Sequence, residues 1–244
     1  MAAISLNRAE DDFLKGYSKL EAPDERMEHK VEGQVMFKGH EGLIKEYERI
    51  LDIKCWNIPK GESNSYLAAA EINPVLSPEE INSFLQATIK YEGHENYSFT
   101  TGLLITRLIQ NSYDAGNKRF RLDTKALSKD IHNIAYKLKG KEDNLLEIIV
   151  GGNVGNWCGD GAENIKEIYI AGDVGMWCGE WAKNIGNLQI AGNAGSFCGL
   201  KAEHSTFKTS NKETLQRLIK DVSKSNLNRI FLVYPNREEE EIKW

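Results

Sequence analysis

The apolar positions keep a helical period through the first half of the chain and change period near residue 118. Phe13, Leu14, Tyr17 and Leu20 fall at helical spacing, and so do Leu43, Ile44, Tyr47, Ile50 and Leu51. Ser77-Pro78-Glu79-Glu80 reads as a helix start: Ser77 caps, Pro78 takes the first helical position and Glu80 closes a capping box. Ile81, Phe84, Leu85 and Ile89 line one face of the helix it opens. Another helix is predicted from about Thr100 to Ser112. Its Leu103, Leu104, Ile105, Leu108 and Ile109 are apolar on more than one side, a sign of burial. Asp114-Ala115-Gly116-Asn117 then turns the chain. Phe120-Arg121-Leu122 reads as a short strand, and Leu127, Ile131, Ile134, Ala135 and Leu138 as an amphipathic helix stopped by Gly140. Near the end, Ser210-x-x-Glu213 is a second capping box, and Leu215, Leu218, Ile219 and Val222 form the face of its helix. Arg229 to Tyr234 reads as a buried strand closed by Pro235-Asn236, and Glu238 to Glu241 as a solvated tail.

Between these elements a segment recurs every 20 residues: IIVGGNVGNWCGDGAENIKE, IYIAGDVGMWCGEWAKNIGN and LQIAGNAGSFCG. A period of this length is the mark of stacked repeats. Stacking puts equivalent residues about 4.8 Å apart in ladders. Ile148/Ile168/Leu188, Val150/Ile170/Ile190, Val154/Val174/Ala194 and Ala162/Ala182/Ala202 are the expected core ladders. Ile149/Tyr169/Gln189 varies and should face outward. Recurring glycines mark bends, and Asn164 and Asn184 should stack at one corner. The ladder breaks at His204-Ser205, so regular coiling is expected to end near residue 203. Three coils leave open ends that need covering, for which the helices ending near Leu138 and beginning near Asn211 are placed.

Leu145-x-x-Ile148-x-Val150-x-x-Asn153 also matches the start of a leucine-rich repeat, but Gly155, Gly175 and Gly195 stand where its next leucine belongs. A parallel β-helix is the preferred geometry. Gly152-Asn153-Val154-Gly155, followed by Gly159 and the next strand, resembles the GXGXG-type β-helix module. That module occurs at the C-terminus of glutamate synthase large subunits and in the C subunit of formylmethanofuran dehydrogenase. The resemblance covers residues 148–199 and implies a structural, subunit-docking role; the added Cys and Trp depart from the family pattern.

Charge and chemistry narrow the functional reading without naming a reaction. The net charge of −5 conceals an asymmetry: residues 118–141 hold 8 basic and 2 acidic side chains, residues 148–199 only 2 basic and 5 acidic. Lys118, Arg119 and Arg121 within the basic segment are candidate phosphate contacts. Cys158, Cys178 and Cys198 fall in register, but thiols one per coil cannot converge on one tetrahedral zinc, and disulfide geometry needs Cβ atoms closer than strand spacing. They read as core packing, and Cys55 beside Trp56 as core or boundary. Trp157, Trp177 and Phe197 form an aromatic ladder. Neighbours in extended chain point to opposite faces, so inward cysteines would put these rings outward as a binding strip; a bend at Gly155 or Gly159 reverses this, and core or interdomain packing is the commoner role of such a row. Asn153, Asp173 and Asn193 supply only one of the aspartates that a calcium-binding β-roll requires. His29, His40, His94, His132 and His204 are scattered, and no nucleophile motif or dinucleotide fingerprint accompanies them.

No stretch approaches the roughly 18 apolar residues of a membrane span, and MAAISLNRAEDDF has no basic and apolar leader, so a reducing cytoplasm is expected. The expected fold is α+β: a helical N-terminal region over residues 1–117, then a capped, short three-coil parallel β-solenoid over 118–244, with coils 148–167, 168–187 and 188–203, capped by α/β elements. The expected function is a non-catalytic scaffold or interaction protein with a protein partner or a second copy of itself, and without cofactor or metal. Nucleic-acid binding through residues 118–141 and service as an enzyme subunit are the alternatives.

Overall fold

The computed structural model describes residues 41–52, 72–142 and 145–243. The predicted helix around Phe13–Leu20, and Cys55 with Trp56, lie outside them. Three helices come first: α1 (Glu41–Leu51), α2 (Pro78–Ala87) and α3 (Tyr97–Asp114). The start of α2 is the expected capping box: Glu80 N–H donates to Ser77 Oγ at 3.2 Å, and Ser77 N–H to Glu80 Oε2 at 2.7 Å. Helix α3 is buried along most of its length, as its broad apolar surface predicts.

The strands are β1 (Arg119–Leu122), β2 (Glu147–Val150), β3 (Glu163–Ile170), β4 (Lys183–Ile190), β5 (Thr206–Thr209), β6 (Arg229–Val233) and β7 (Glu239–Glu241), with α4 (Lys212–Asp221) between β5 and β6. They form one seven-stranded sheet whose spatial order is the sequence order. All neighbours pair parallel except β6 with β7. Two continuous rows face the core: Phe120, Ile148, Ile168, Leu188, Phe207 and Ile230, and beside them Leu122, Val150, Ile170, Ile190 and Thr209, with the half-buried Leu232 at the end of the second. Burying each large aliphatic side chain contributes roughly 1.5–3 kcal/mol, which fixes the register.

This sheet overturns the predicted α+β fold with its short three-coil parallel β-solenoid capped by α/β elements. The molecule has the character of an α/β fold: an open, mostly parallel seven-stranded sheet with four helices among the described residues. Strands β1, β5 and β6 lack the glycine and cysteine marks of the repeat yet continue the same hydrogen-bonded ladder. Pairing therefore neither begins at residue 148 nor ends at 203. Backbone hydrogen bonds and apolar rows decide sheet membership, and neither depends on the marks that made the repeat visible.

The predicted helix at Leu127–Leu138 is absent. That segment is a chain of turns with Asn133, Ala135 and Lys137 at φ +61°, +60° and +50°, a conformation no right-handed helix contains. Ile131, Ile134, Ala135 and Leu138 are buried as expected, and Leu127 partly, but as the inner side of a bend. The second capping box is also displaced: Asn211, not Ser210, caps α4, its Oδ1 accepting from Glu213 and Thr214 N–H at 2.9 and 3.0 Å. The acidic tail is exposed as predicted but ordered as β7, where Glu241 and Glu239 pair with Arg229 and Lys208. A short edge strand of three carboxylates resists pairing with another sheet. Of the outward row, Tyr169 and Gln189 are buried.

Helix side chains serve the ends of the bend region. Thr106, Gln110 and Tyr113 lie at helical spacing on α3. Thr106 Oγ1 donates to Asn133 O and accepts from Ala135 N–H, both at 2.9 Å. Gln110 brackets Lys139 in the same way, and Tyr113 Oη accepts from Lys141 N–H. At the opposite end Thr214 and Asp221 of α4 take Ala194 and Phe197 N–H. No described helix is long and apolar enough to cross a membrane.

Candidate functional site

The bends that connect consecutive strands stack in register, and four tiers can be followed through their backbone. Asn133 N–H donates to Asn156 O, Trp157 N–H to Met176 O and Trp177 N–H to Ser196 O, each at 2.9 Å. At the last tier Phe197 N–H donates to Asp221 Oδ2. All four residues are left-handed, with φ +61°, +60°, +59° and +63°. Asparagine adopts this conformation readily; for a bulky side chain it is an outlier costing roughly 1–2 kcal/mol.

The bends turn the thiols inward and leave the rings at the edge of the core, half-buried at Trp157 and Trp177 and exposed at Phe197. Cys158, Cys178 and Cys198 are fully buried and unpaired. Hydrogen bonding from the flanking thiols, then burial, pushes the Cys178 thiol well above its usual range, so it stays protonated. Trp157 and Trp177 stack with centroids 5.2 Å apart and planes 4° apart; Trp177 and Phe197 stack at 5.8 Å and 13°. The tryptophans are half-buried, and Phe197 is 43% exposed. Met176 and Trp181, from the same bends, are also exposed. Ladders of amides hold the tiers together. Asn156 Oδ1 accepts from Met176 N–H, Asn153 Oδ1 from Asp173 N–H, Asp173 Oδ1 from Asn193 N–H, and Asn184 donates to Asn164. The Asn153 and Asp173 Oδ1 atoms are thus engaged by backbone, and Asn193 Oδ1 accepts from Asn211 Nδ2 at 3.1 Å. Among the described residues no cluster of three or more His, Cys, Asp or Glu is placed to hold a metal.

The parallel stack stops at Trp157. On its upstream side His132 meets it edge-to-face, centroids 6.1 Å apart and planes at 84°. Asn133 occupies the ring position of that tier. Beside it a cleft of about 110 Å³ opens, lined by Phe99, Asn133, Tyr136, Trp157 and Asp160. Asn133 is 2% exposed, and its Nδ2 has no hydrogen-bond partner. Asp160 stands three residues after Trp157, and Glu180 takes the same place after Trp177. Burial, then the Glu180 carboxylate, pushes Asp160 up to about 6, against the opposing pull of Lys137. The Lys137 ammonium lies over the Tyr136 ring, 5.1 Å from its centroid.

The basic candidates are elsewhere. Lys118, Arg119 and Arg121 are exposed around β1 and are not gathered with the aromatic row. Arg119 Nε is bound to Glu147 at 2.6 Å, and Lys166 binds the other Glu147 oxygen at 2.5 Å. Burial opposes ionisation of Glu147, but these two partners outweigh it and hold the carboxyl below the usual range.

The repeat pattern singled out Trp157, Trp177 and Phe197 but missed Phe99, Asn133, Tyr136 and Asp160. The first tier precedes Trp157 by 24 residues, and β1 precedes β2 by 28, so a search at 20 skips it. No family model matches the chain, and no match was found among the curated proteins or the solved structures.

Proposed function

We propose that this is a non-catalytic interaction protein that docks a partner protein on the row Trp157–Trp177–Phe197, with Asp160 and Glu180 selecting a basic partner segment. The observation that carries this reading is the stack itself. Three consecutive tiers hold large rings in a backbone conformation that favours Asn or Gly, and the rings end in an exposed Phe197. Exposed aromatic surface beside matched charge is characteristic of protein-binding patches.

Two features favour a protein over other ligands. Trp177 is covered on both faces by its neighbours, so the row cannot take up successive bases along its length as a single-strand stacking platform does. The adjoining cleft of about 110 Å³ suits one side chain, whereas small-molecule sites commonly measure about 300–1,000 Å³. The docking role implied by the GXGXG-type resemblance is of the same kind. A cytoplasmic location belongs to this proposal, and three unpaired thiols agree with it.

The test is a photo-crosslinking amino acid at position 197 of the full chain, with position 237 as control. The expected result is a discrete adduct with a second protein from position 197 alone, lost in Trp177→Ala. Only self-adducts, or equal labelling from both positions, would overturn it.

A further inference from the structure

We infer that the cleft upstream of Trp157 is a recognition pocket for one arginine side chain of the docked segment, its guanidinium stacking in the tier where Asn133 replaces a ring. The inference rests on the docking role of the aromatic row and names the chemistry that its upstream end selects.

Four observations lead to it. The first is an interrupted pattern: positions 133, 157, 177 and 197 share one backbone conformation, and the last three carry flat rings packed face to face. Asn133 is the small member, so the upstream side of Trp157 lacks a parallel neighbour. His132 meets Trp157 edge-on on that side, and a planar group of guanidinium size fits the space beside it, against Asn133 and Trp157. The second is the wall: Phe99, Tyr136 and Trp157 surround the space with aromatic surface, which attracts a cation through the ring quadrupole. The third is charge: Asp160 is the carboxylate in the lining, and Glu180 lies close enough to repel it. With Lys137 counted on the rim, the local balance is one negative charge, which an arginine neutralises. The fourth is the unpartnered amide: Asn133 Nδ2 is a buried donor without an acceptor, which costs the free protein stability. A backbone carbonyl of the incoming segment can supply that acceptor.

Arginine fits better than lysine because the space continues a stack of planes. A guanidinium stacks on a ring and presents a planar fork to a carboxylate at once; an ammonium does neither.

The experiment titrates the 15N-labelled full chain with N-acetyl-argininamide, N-acetyl-lysinamide and N-acetyl-citrullinamide, the last a neutral isostere. The readout is the indole N–H signal of Trp157, assigned by its loss in Trp157→Phe. Saturable shifts are expected with the arginine compound, with binding at least about 10-fold weaker for the other two. Asp160→Asn should weaken arginine binding by about 10-fold, and Asn133→Phe, which fills the tier, should abolish it while the other indole signals keep their dispersion. Citrullinamide binding as well as argininamide, lysinamide matching it, no saturation, or an indifferent Asp160→Asn each overturns the inference. The position-197 crosslink reads the far end of the row. A surviving crosslink without arginine binding rejects the pocket alone; loss of the crosslink rejects the docking role itself.

Discussion

Replacing Asp160 by asparagine should make the free protein more stable, although it removes a carboxylate from the candidate site. Asp160 is partly buried against aromatic side chains and repelled by Glu180, and these push it from 3.8 up to about 6. The native state therefore holds the Asp160 proton more tightly than the unfolded chain does. That contribution to stability is fully present below 3.8 and is lost as pH rises through about 6. Above that value the ionised group works against the fold. The difference between 3.8 and about 6 corresponds to roughly 3 kcal/mol at full strength. Solvent screening at a partly exposed group reduces this to about 1–2 kcal/mol. Asparagine has nearly the same shape, and the backbone carbonyl at 160 keeps its bond from Lys137 N–H at 2.7 Å. Urea denaturation of both proteins at pH 8, pH 6 and pH 3.5 measures the effect. The variant should lead by about 1–2 kcal/mol at pH 8, and the lead should vanish by pH 3.5. A variant less stable than wild type at pH 8, or a gain independent of pH, would refute the reasoning. Stabilisation together with lost affinity is what a binding group held in a repulsive setting should show.

Trp177 stacks on both sides, and each contact contributes roughly 0.5–1.5 kcal/mol, so Trp177→Ala should cost about 2 kcal/mol in chemical denaturation. Trp177→Gly should be milder than Trp177→Ala, because glycine takes φ +59° without strain; the reverse order would show that the left-handed tier is misjudged. Gly102→Ala would improve helix propensity by up to ~1 kcal/mol, yet a Cβ there lies 1.6 Å from His132 O, so the thermal midpoint should fall by the equivalent of about 2 kcal/mol or more. An unchanged or raised midpoint would mean that α3 does not pack on the first bend. Glu147→Gln should cost about 1–2 kcal/mol at pH 7 by breaking the pairs to Arg119 and Lys166. Since the folded carboxyl sits below its ordinary 4.5, that deficit should be constant above pH 4.5 and shrink as pH falls further; a pH-independent deficit would assign it to packing.

Helix existence was legible in the sequence wherever capping and periodicity agreed. Ser77-x-x-Glu80 formed the box it spells, and the apolar girth of α3 is its burial. The buried thiols followed from the register of the repeat, whereas the facing of the rings was decided by the left-handed bends at 157, 177 and 197. The segment Leu127–Leu138 failed because its apolar residues lie at helical spacing by coincidence of a bend. Periodicity records which residues are buried, and Asn133, Ala135 and Lys137 show that a left-handed turn buries them equally well.

The sequence alone determined the local terms: where α2 begins, which side chains of β2 to β4 face inward, and that residues 157, 177 and 197 stack. Each depends on chain-neighbour geometry or on an unvarying 20-residue spacing. Tertiary structure decided the rest. It joined β1, β5, β6 and β7 to the repeat strands in one open sheet, and it laid α3 on a first tier spaced 24 residues from the second. It also brought Phe99 to Trp157 and Asp160 across the cleft. Those placements come from hydrogen bonds and burial between segments far apart in the chain, which tolerate insertions of a few residues and many substitutions, and so leave no fixed spacing to read.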